Sequence, residues 1–163
     1  MTNTINEKFV AFSDWTKIGR SAWISLLSKA PANEVTKLWE QVSRPDIENN
    51  AQIIRRPETG MVMVRGRIGG AGNSFNLGEM TVTRCAIRLA SGETGISYVA
   101  GRNKAHARIA AIVDAMMQTT EFSNIAIDAI LDPLEKSDRE KKKANSRKAK
   151  ATQVEFFTMV TGR

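Results

Sequence analysis

The chain has 163 residues, a length that suits one domain with tails and that can bury a core without a disulfide or a metal. Its single cysteine, Cys85, excludes an internal disulfide and a cysteine-based zinc site, and its single histidine, His106, argues against catalytic sites built from several histidines. The net charge of +7 invites a nucleic-acid partner, but +5 of it lies in residues 135–150, so the rest of the chain is nearly neutral.

Three regions are expected from the pattern of apolar and polar residues. Residues 1–14 are predicted to form an N-terminal tail, residues 15–132 an α+β core domain, and residues 133–163 a C-terminal helical arm with an apolar tail. No apolar run has the length of a membrane span, and the first residues do not resemble a secretory signal. A cytoplasmic location is therefore expected.

Two helices are predicted to open the core domain. The first begins near Ser13, and the second begins at Pro31 and stops before Pro45. All three tryptophans lie in these helices. Their helical spacing favours packing against the core, and a partner-binding face is the alternative because tryptophan is enriched at interface hot spots.

An antiparallel β-meander is predicted next, flanked by the helices. Four strands are expected, at residues 51–56, 61–67, 80–89 and 95–102. A turn at residues 57–60 is expected to join the first two, and a hairpin loop at residues 90–94 the last two. Connections this short favour antiparallel pairing, because parallel neighbours need a long crossover.

The period of two along a strand sorts the side chains onto two faces. Cys85, Ile87 and Leu89 share an apolar face, whereas Arg84 and Arg88 lie on the opposite one. Arg65 and Arg67 also share a side, and Arg102 could join the arginine face. Such a face is either an ordinary solvated surface or a site for an anion or a partner.

A glycine-rich loop spans residues 66–78 and connects two strands. It matches neither phosphate-binding loop pattern, and no helix begins directly behind it. The alternatives are a flexible hairpin connection and a segment whose backbone docks against a neighbouring subunit. The candidate contacts within it are Arg67, Gly69, Gly70 and Gly72.

A strand-to-helix junction follows at residues 101–107, with Asn103 as the predicted N-cap. The free N–H groups of the helix, together with Arg102 and Lys104, could hold a phosphate or a carboxylate; an ordinary capped helix is the alternative. His106 lies one turn into the helix, where a hydrogen-bonded structural role is more usual than catalysis. Farther on, Asp132 is predicted to cap a last helix, with Pro133 at its first position.

The last predicted helix is polar from residue 136 to residue 150 and ends in a strand-like apolar tail. Phe156, Phe157 and Met159 are the candidates in that tail for docking onto a partner. No spacing of carboxylates, histidine or nucleophiles along the chain makes a catalytic constellation. We therefore predict no catalytic residues and no metal ligands in this chain.

Several ordered motifs resemble the PhnG family, a subunit of the carbon–phosphorus lyase core complex of bacterial phosphonate use. They extend from about Ser21 to the C-terminus and comprise Glu58-Thr59-Gly60, Arg67-Ile68-Gly69-Gly70-Ala71-Gly72, Phe75, Gly78-Glu79-Met80-Thr81-Val82-Thr83-Arg84, Arg88-Leu89, Gly95-Ile96-Ser97-Tyr98-Val99, Gly101-Arg102-Asn103-Lys104-Ala105-His106-Ala107, Asp114-Ala115-Met116-Met117-Gln118 and Val154-Glu155-Phe156-Phe157-Thr158-Met159-Val160-Thr161-Gly162.

The resemblance implies a non-catalytic subunit of a transferase complex. The family acts with partner subunits to displace adenine from ATP by methylphosphonate, giving α-D-ribose 1-methylphosphonate 5-triphosphate. The resemblance also implies three partner subunits, PhnI, PhnH and PhnJ, in a two-fold hetero-oligomer. Among them, PhnI would carry the nucleosidase chemistry. ATP and Mg²⁺ would be substrates of the complex, and this chain would hold no cofactor. A nucleic-acid-binding protein that uses the basic C-terminal arm is the alternative function, and a self-sufficient enzyme is a third.

Overall fold

A computed structural model describes residues 15–42, 44–69 and 71–152 and has the predicted α+β architecture. A three-stranded antiparallel sheet in the order β1-β2-β3 is flanked by helices. The elements, in chain order, are α1 Trp15–Ile18, α2 Arg20–Lys29, α3 Ala32–Val42, α4 Pro45–Asn50, β1 Gln52–Arg67, β2 Ser74–Arg88, β3 Thr94–Ala100, α5 Lys104–Met116, α6 Ser123–Ala126, a π-helical turn Ile127–Leu131, and α7 Asp132–Ala151.

The antiparallel meander is confirmed, but the first two predicted strands are one. The turn expected at residues 57–60 is wrong, because β1 runs through it without interruption. Arg55 pairs with Ala86 and Glu58 with Arg84, so β1 carries one extra residue here, which forms a bulge. Since β1 is an edge strand, Pro57 can lie at this irregular position without breaking a central ladder.

Helix α5 packs across the buried face of the sheet, where Cys85, Ile87 and Leu89 lie as the strand period predicted. The approach is close at Gly95, where a Cβ atom would lie 1.9 Å from the Ala111 carbonyl oxygen. Only glycine fits this contact between β3 and α5.

The three tryptophans are buried, which agrees with core packing. Each indole N–H also donates to a carboxylate: Trp15 to Asp132 at 3.0 Å, Trp23 to Asp114 at 2.9 Å, and Trp39 to Glu48. The N-terminal helices are therefore joined to the rest of the fold by polar as well as apolar contacts.

Asp114 is the fully buried centre of this polar network. One carboxylate oxygen accepts from Arg20 Nε at 3.0 Å and from the Trp23 indole, and the other accepts from Arg20 Nη2 at 2.7 Å and from the Ile96 backbone N–H at 2.8 Å. Four donors from α2 and β3 thus satisfy one carboxylate on α5, as a buried charge requires.

Two helix boundaries differ from the sequence prediction. The first predicted helix is divided at Gly19, which has a φ of 92°. The predicted N-cap at Asp132 is wrong, because the helical run continues through that residue from the π turn into α7. Pro133 has no N–H and crowds the carbonyl four residues before it, and a wider π turn just ahead relieves this conflict without ending the helix.

Candidate partner interface

The distal half of the β1–β2 hairpin, residues 61–80, extends beyond the third strand; we name it the hairpin arm. β3 pairs with β2 only from Arg88 to Val82. The arm is therefore two-stranded, and none of its described residues is buried. A two-stranded hairpin of this kind has little stability of its own in water.

Large apolar side chains are exposed along the hairpin arm. The exposed fraction is 67% for Met61, 73% for Ile68 and 65% for Leu77. They lie on both surfaces, because Met61 is opposite Thr81 whereas the next residue, Val62, is opposite Met80 on the other side. The full exposed set is Met61, Met63, Ile68, Phe75, Leu77 and Met80. A strand pair that is apolar on both surfaces is typical of a structure covered on both sides.

Arg84 and Arg88 lie on the outer face of the sheet, away from α5, as predicted. The Arg84 guanidinium bonds the Glu58 carboxylate at 2.7 Å, and this hydrogen bond raises the pKa of Arg84. Arg55 approaches the same carboxylate at 3.6 Å. Arg84 is paired across two strands, so its charge is partly neutralised, whereas Arg88 is exposed and makes no ion pair within the described residues.

The basic residues are divided by type between two parts of the molecule. Residues 52–102 contain no lysine but seven arginines, namely Arg55, Arg56, Arg65, Arg67, Arg84, Arg88 and Arg102. Residues 136–150 contain six lysines and only two arginines. Arginine, methionine and aromatic residues are enriched in protein interfaces and lysine is depleted, so the composition of the hairpin is that of an interface and the composition of α7 is that of a solvated helix.

The predicted glycine-loop residues lie at the tip of the arm. Gly69 has a φ of 59°, a conformation that favours glycine. Gly72 donates its N–H to the Ile68 carbonyl at 3.0 Å, and a Cβ atom on it would lie 2.6 Å from that oxygen. Arg67 is exposed beside this turn. Gly70 lies outside the described residues.

The predicted strand-to-helix junction begins at the root of the arm. Gly101 donates its N–H to the Thr81 carbonyl at 2.9 Å. Asn103 caps α5 as predicted, since its side chain accepts from the His106 N–H at 2.9 Å. Arg102 and Lys104 are exposed, and neither makes an ion pair within the described residues.

His106 does not reach the surface. Its ring Nε2 lies 3.0 Å from the Leu27 carbonyl oxygen, and burial lowers the pKa of the imidazole. The ring is therefore neutral at ordinary pH and connects α5 to α2 through the Nε2–H tautomer. This geometry is that of a structural histidine.

Helix α7 is anchored only in its first half. Glu34 on α3 accepts from Lys141 at 2.5 Å and from Ser137 at 3.0 Å, and the Lys141 hydrogen bond lowers the pKa of Glu34. A cleft of about 350 Å³ lies between α7 and the loop joining α2 to α3. Residues 142–152 are all exposed. The predicted docking residues Phe156, Phe157 and Met159 lie outside the described part of the chain.

Comparison with known proteins agrees with the motifs in the sequence. The family described as "Phosphonate metabolism protein PhnG" matches residues 19–162. The chain belongs to the PhnG family. A relative from Rhizobium meliloti (strain 1021), described as "Alpha-D-ribose 1-methylphosphonate 5-triphosphate synthase subunit PhnG", is 40% identical over 148 residues, which cover 88% of this chain and 89% of the relative.

The PhnG match contains the hairpin arm, the junction at its root and α7, whereas α1 precedes it. Over the described residues, no three side chains of the kinds that bind metals lie together in a cluster. In the same part of the chain, no helix combines the length and the apolar character that crossing a membrane demands.

The exposed apolar surface of the hairpin arm was not predicted, although the sequence contains a signal for it. The four residues Met61, Val62, Met63 and Val64 are apolar in succession, which a strand with one solvated face does not need. The predicted site comprised arginines, loop glycines, the junction residues Lys104 and His106 and the C-terminal tail, and this apolar run was given no role.

Proposed function

We propose that this chain is a non-catalytic subunit of an α-D-ribose 1-methylphosphonate 5-triphosphate synthase complex in phosphonate catabolism. The complex transfers the ribose 5-triphosphate part of ATP to methylphosphonate and releases adenine. The chain contributes binding surface, while PhnI, PhnH and PhnJ are its companions in a two-fold hetero-oligomer. ATP and Mg²⁺ enter as substrates of the complex, and this chain holds no cofactor of its own.

The hairpin arm is the observation that carries the proposal. Each large apolar side chain that moves from water into an interface contributes about 1.5–3 kcal/mol before the costs of association. Six such side chains lie on the arm. A surface of this kind favours a permanent partner, because without one its apolar side chains would remain exposed to water.

The state of the buried ionisable groups supports a role without bond-breaking chemistry. Asp114 is saturated by four donors, and His106 is held at a backbone carbonyl in the core. Both side chains are buried in the core. The exposed arginines can hold an anion but supply no acid or base near neutral pH.

Co-expression with the companion subunits tests the proposal. The wild-type chain should enter a complex of defined mass that releases adenine from ATP when methylphosphonate is added, and the chain alone should release none. Met61→Asp on the arm should reduce incorporation into the complex by on the order of 30-fold, because a buried carboxylate without a partner costs at least about 2 kcal/mol. Lys142→Asp, on the exposed part of α7, is the control.

A chain that stays monomeric beside every companion would refute the proposal, and so would adenine release by the chain alone. Removal of residues 156–163 tests the predicted docking tail separately. Incorporation of the shortened chain at the wild-type level would show that the tail is dispensable.

Nucleic-acid binding is the second candidate function, and the exposed basic half of α7 favours it. Residues 141–150 carry Lys141, Lys142, Lys143, Arg147, Lys148 and Lys150, all exposed. Two of these lysines are already paired, Lys141 with Glu34 and Lys142 with Asp138. Binding of this kind would weaken steeply with salt as counterions are released. The absence of measurable affinity for DNA or RNA near 50 mM salt, a typical low-salt condition, would exclude it.

A further inference from the structure

The hairpin arm has an open backbone edge on β2, where the third strand ends. The last contact of the ladder is the hydrogen bond from Gly101 N–H to the Thr81 carbonyl, after which the chain turns away toward α5 at a φ of 88°. Alternate residues of a strand direct their N–H and C=O groups to the same side. The backbone groups of Glu79 therefore point into the space beside β2 that β3 has left.

The edge along β1 and the edge that β2 exposes beyond the end of β3 are not equivalent. β1 carries Pro57 in a bulge, with Arg55 and Arg56 beside it, and these are features that discourage pairing with another strand. Residues 74–80 of β2 carry no proline, and their one irregularity is a bulge at Leu77, where the pairing passes from Gly78 to Asn76. Glu79 is the one charged residue in that stretch, whereas Phe75, Leu77 and Met80 are exposed apolar residues.

We propose that a strand of a companion subunit pairs with β2 along residues 74–80 and continues the sheet in the place that β3 leaves. This inference rests on the proposed function. Seven residues of strand span roughly 20 Å, which is enough for specific backbone hydrogen bonds on both sides of the bulge at Leu77. Side chains of the companion would cover the apolar residues on both surfaces of the arm.

The charge at the tip of the arm indicates the chemistry of that companion. Within the described residues, Arg65 bonds the Ser74 hydroxyl at 3.0 Å and makes no ion pair, and Arg67 makes none either. Both side chains are exposed on β1, opposite Asn76 and Ser74 at the tip end of β2. The companion strand is therefore apolar along its length and carries carboxylates at the end that meets Arg65 and Arg67.

Amide hydrogen exchange of the wild-type chain, free and in the purified complex, tests the strand addition directly. In the free chain the Glu79 amide should exchange fast. In the complex it should exchange on the order of 100-fold more slowly, because it donates to the added strand. The Met63 amide is the matched control, since Met63 lies opposite Glu79 and directs its N–H to the other, β1 edge. Equal rates for Glu79 in the two states would overturn the inference.

A pair of variants separates the backbone of Glu79 from its side chain. Glu79→Pro removes the N–H and should weaken incorporation by about 30-fold, the effect of losing about 2 kcal/mol of interaction, whereas Glu79→Ala keeps the N–H and should stay within about 3-fold of wild type. Retained protection of the Val62 and Met80 amides in each free variant checks that the hairpin is folded. Equal behaviour of the two variants would contradict strand addition.

Charge reversal tests the acidic end of the companion. Arg67→Glu should lower the association rate at low salt about 10-fold, and Lys148→Glu, the same charge change on α7, should alter it less than about 2-fold. Equal effects would show that only overall charge matters and would overturn the carboxylate assignment.

The failure of this inference is distinguishable from failure of the proposed function. If the Glu79→Pro chain forms an active complex normally, the subunit role is supported and the added strand is refuted. If the wild-type chain joins no companion, both the subunit role and the added strand are refuted. Protection of Glu79 that appears in the chain alone as its concentration rises would identify a second copy as the occupant and would also overturn the inference.

Discussion

Replacement of Asp114 by asparagine should destabilise the fold severely, although the side chain keeps its size. Each carboxylate oxygen of Asp114 accepts two hydrogen bonds, and the asparagine NH₂ group would replace one of those oxygens with a donor. Two donors would then lose their acceptor, one of them in the core, on Trp23 or Ile96, and the other on the partly exposed Arg20. At about 1–3 kcal/mol for the unsatisfied donor in the core, and about 1 kcal/mol for the partly exposed Arg20, the expected loss is about 2–4 kcal/mol.

Urea unfolding followed by tryptophan fluorescence measures this loss, because Trp23 donates to Asp114 directly. The free energy of unfolding should fall by a large fraction of the 5–15 kcal/mol that is usual for a domain. Asp128→Asn is the matched control, an identical chemical change at an exposed position on the π turn, and should shift the free energy by less than about 0.5 kcal/mol. A loss below about 1 kcal/mol for Asp114→Asn would show that the network is not the connection between α2, β3 and α5 that its geometry indicates.

Three further changes probe other parts of the molecule. Gly95→Ala should cost about 1–3 kcal/mol or more in urea unfolding, because the added Cβ would overlap the Ala111 carbonyl and force β3 away from α5. His106 has a pKa below its usual value of 6.5 and is neutral when folded, so its contribution to stability should be complete above about pH 6.5 and should be lost as the pH falls through the lowered value. In pull-down with the companion subunits, Arg84→Ala should weaken assembly more than Lys142→Ala, which breaks only an exposed pair within one helix.

Each of these has a result that would contradict it. Wild-type stability in Gly95→Ala would mean that β3 and α5 are farther apart than described. An unfolding free energy with the same pH dependence in His106→Gln and in wild type would show that the imidazole is not held neutral. Equal losses of assembly for Arg84→Ala and Lys142→Ala would identify the outer face of the sheet as an ordinary solvated surface.

Three features could be predicted because each depends on residues close in the sequence. They are the class of fold, the core face of the sheet and the cap of α5. A period of two places Cys85 and Ile87 on one face whatever surrounds them, and Asn103 caps a helix that begins at the next residue. The bulge at Pro57 could not be recognised in this way. Proline and glycine near each other are typical of a turn, and only the pairing of β1 with β2 shows that the strand continues.

Contacts between residues that are far apart in the sequence could not be predicted from the sequence pattern. Arg20 and Asp114 are 94 residues apart, and nothing local marks them as a pair. The same holds for Asp132, which has the neighbours of an N-cap but is used by Trp15 as an acceptor. The exposure of the hairpin arm also depends on where β3 ends, and that is set by the turn at Gly101 and not by β1 or β2 themselves.

The open arm has a consequence for how the cell must produce this chain. When this chain is in excess over its companions, each surplus copy exposes an unpaired β2 edge and methionine, leucine and phenylalanine side chains. Contacts between such copies lead to aggregation. Synthesis in balanced amounts, with rapid capture of each new chain, would keep that concentration low. We therefore expect overproduction of the chain by itself to yield insoluble material, and simultaneous production of its companions to restore soluble protein.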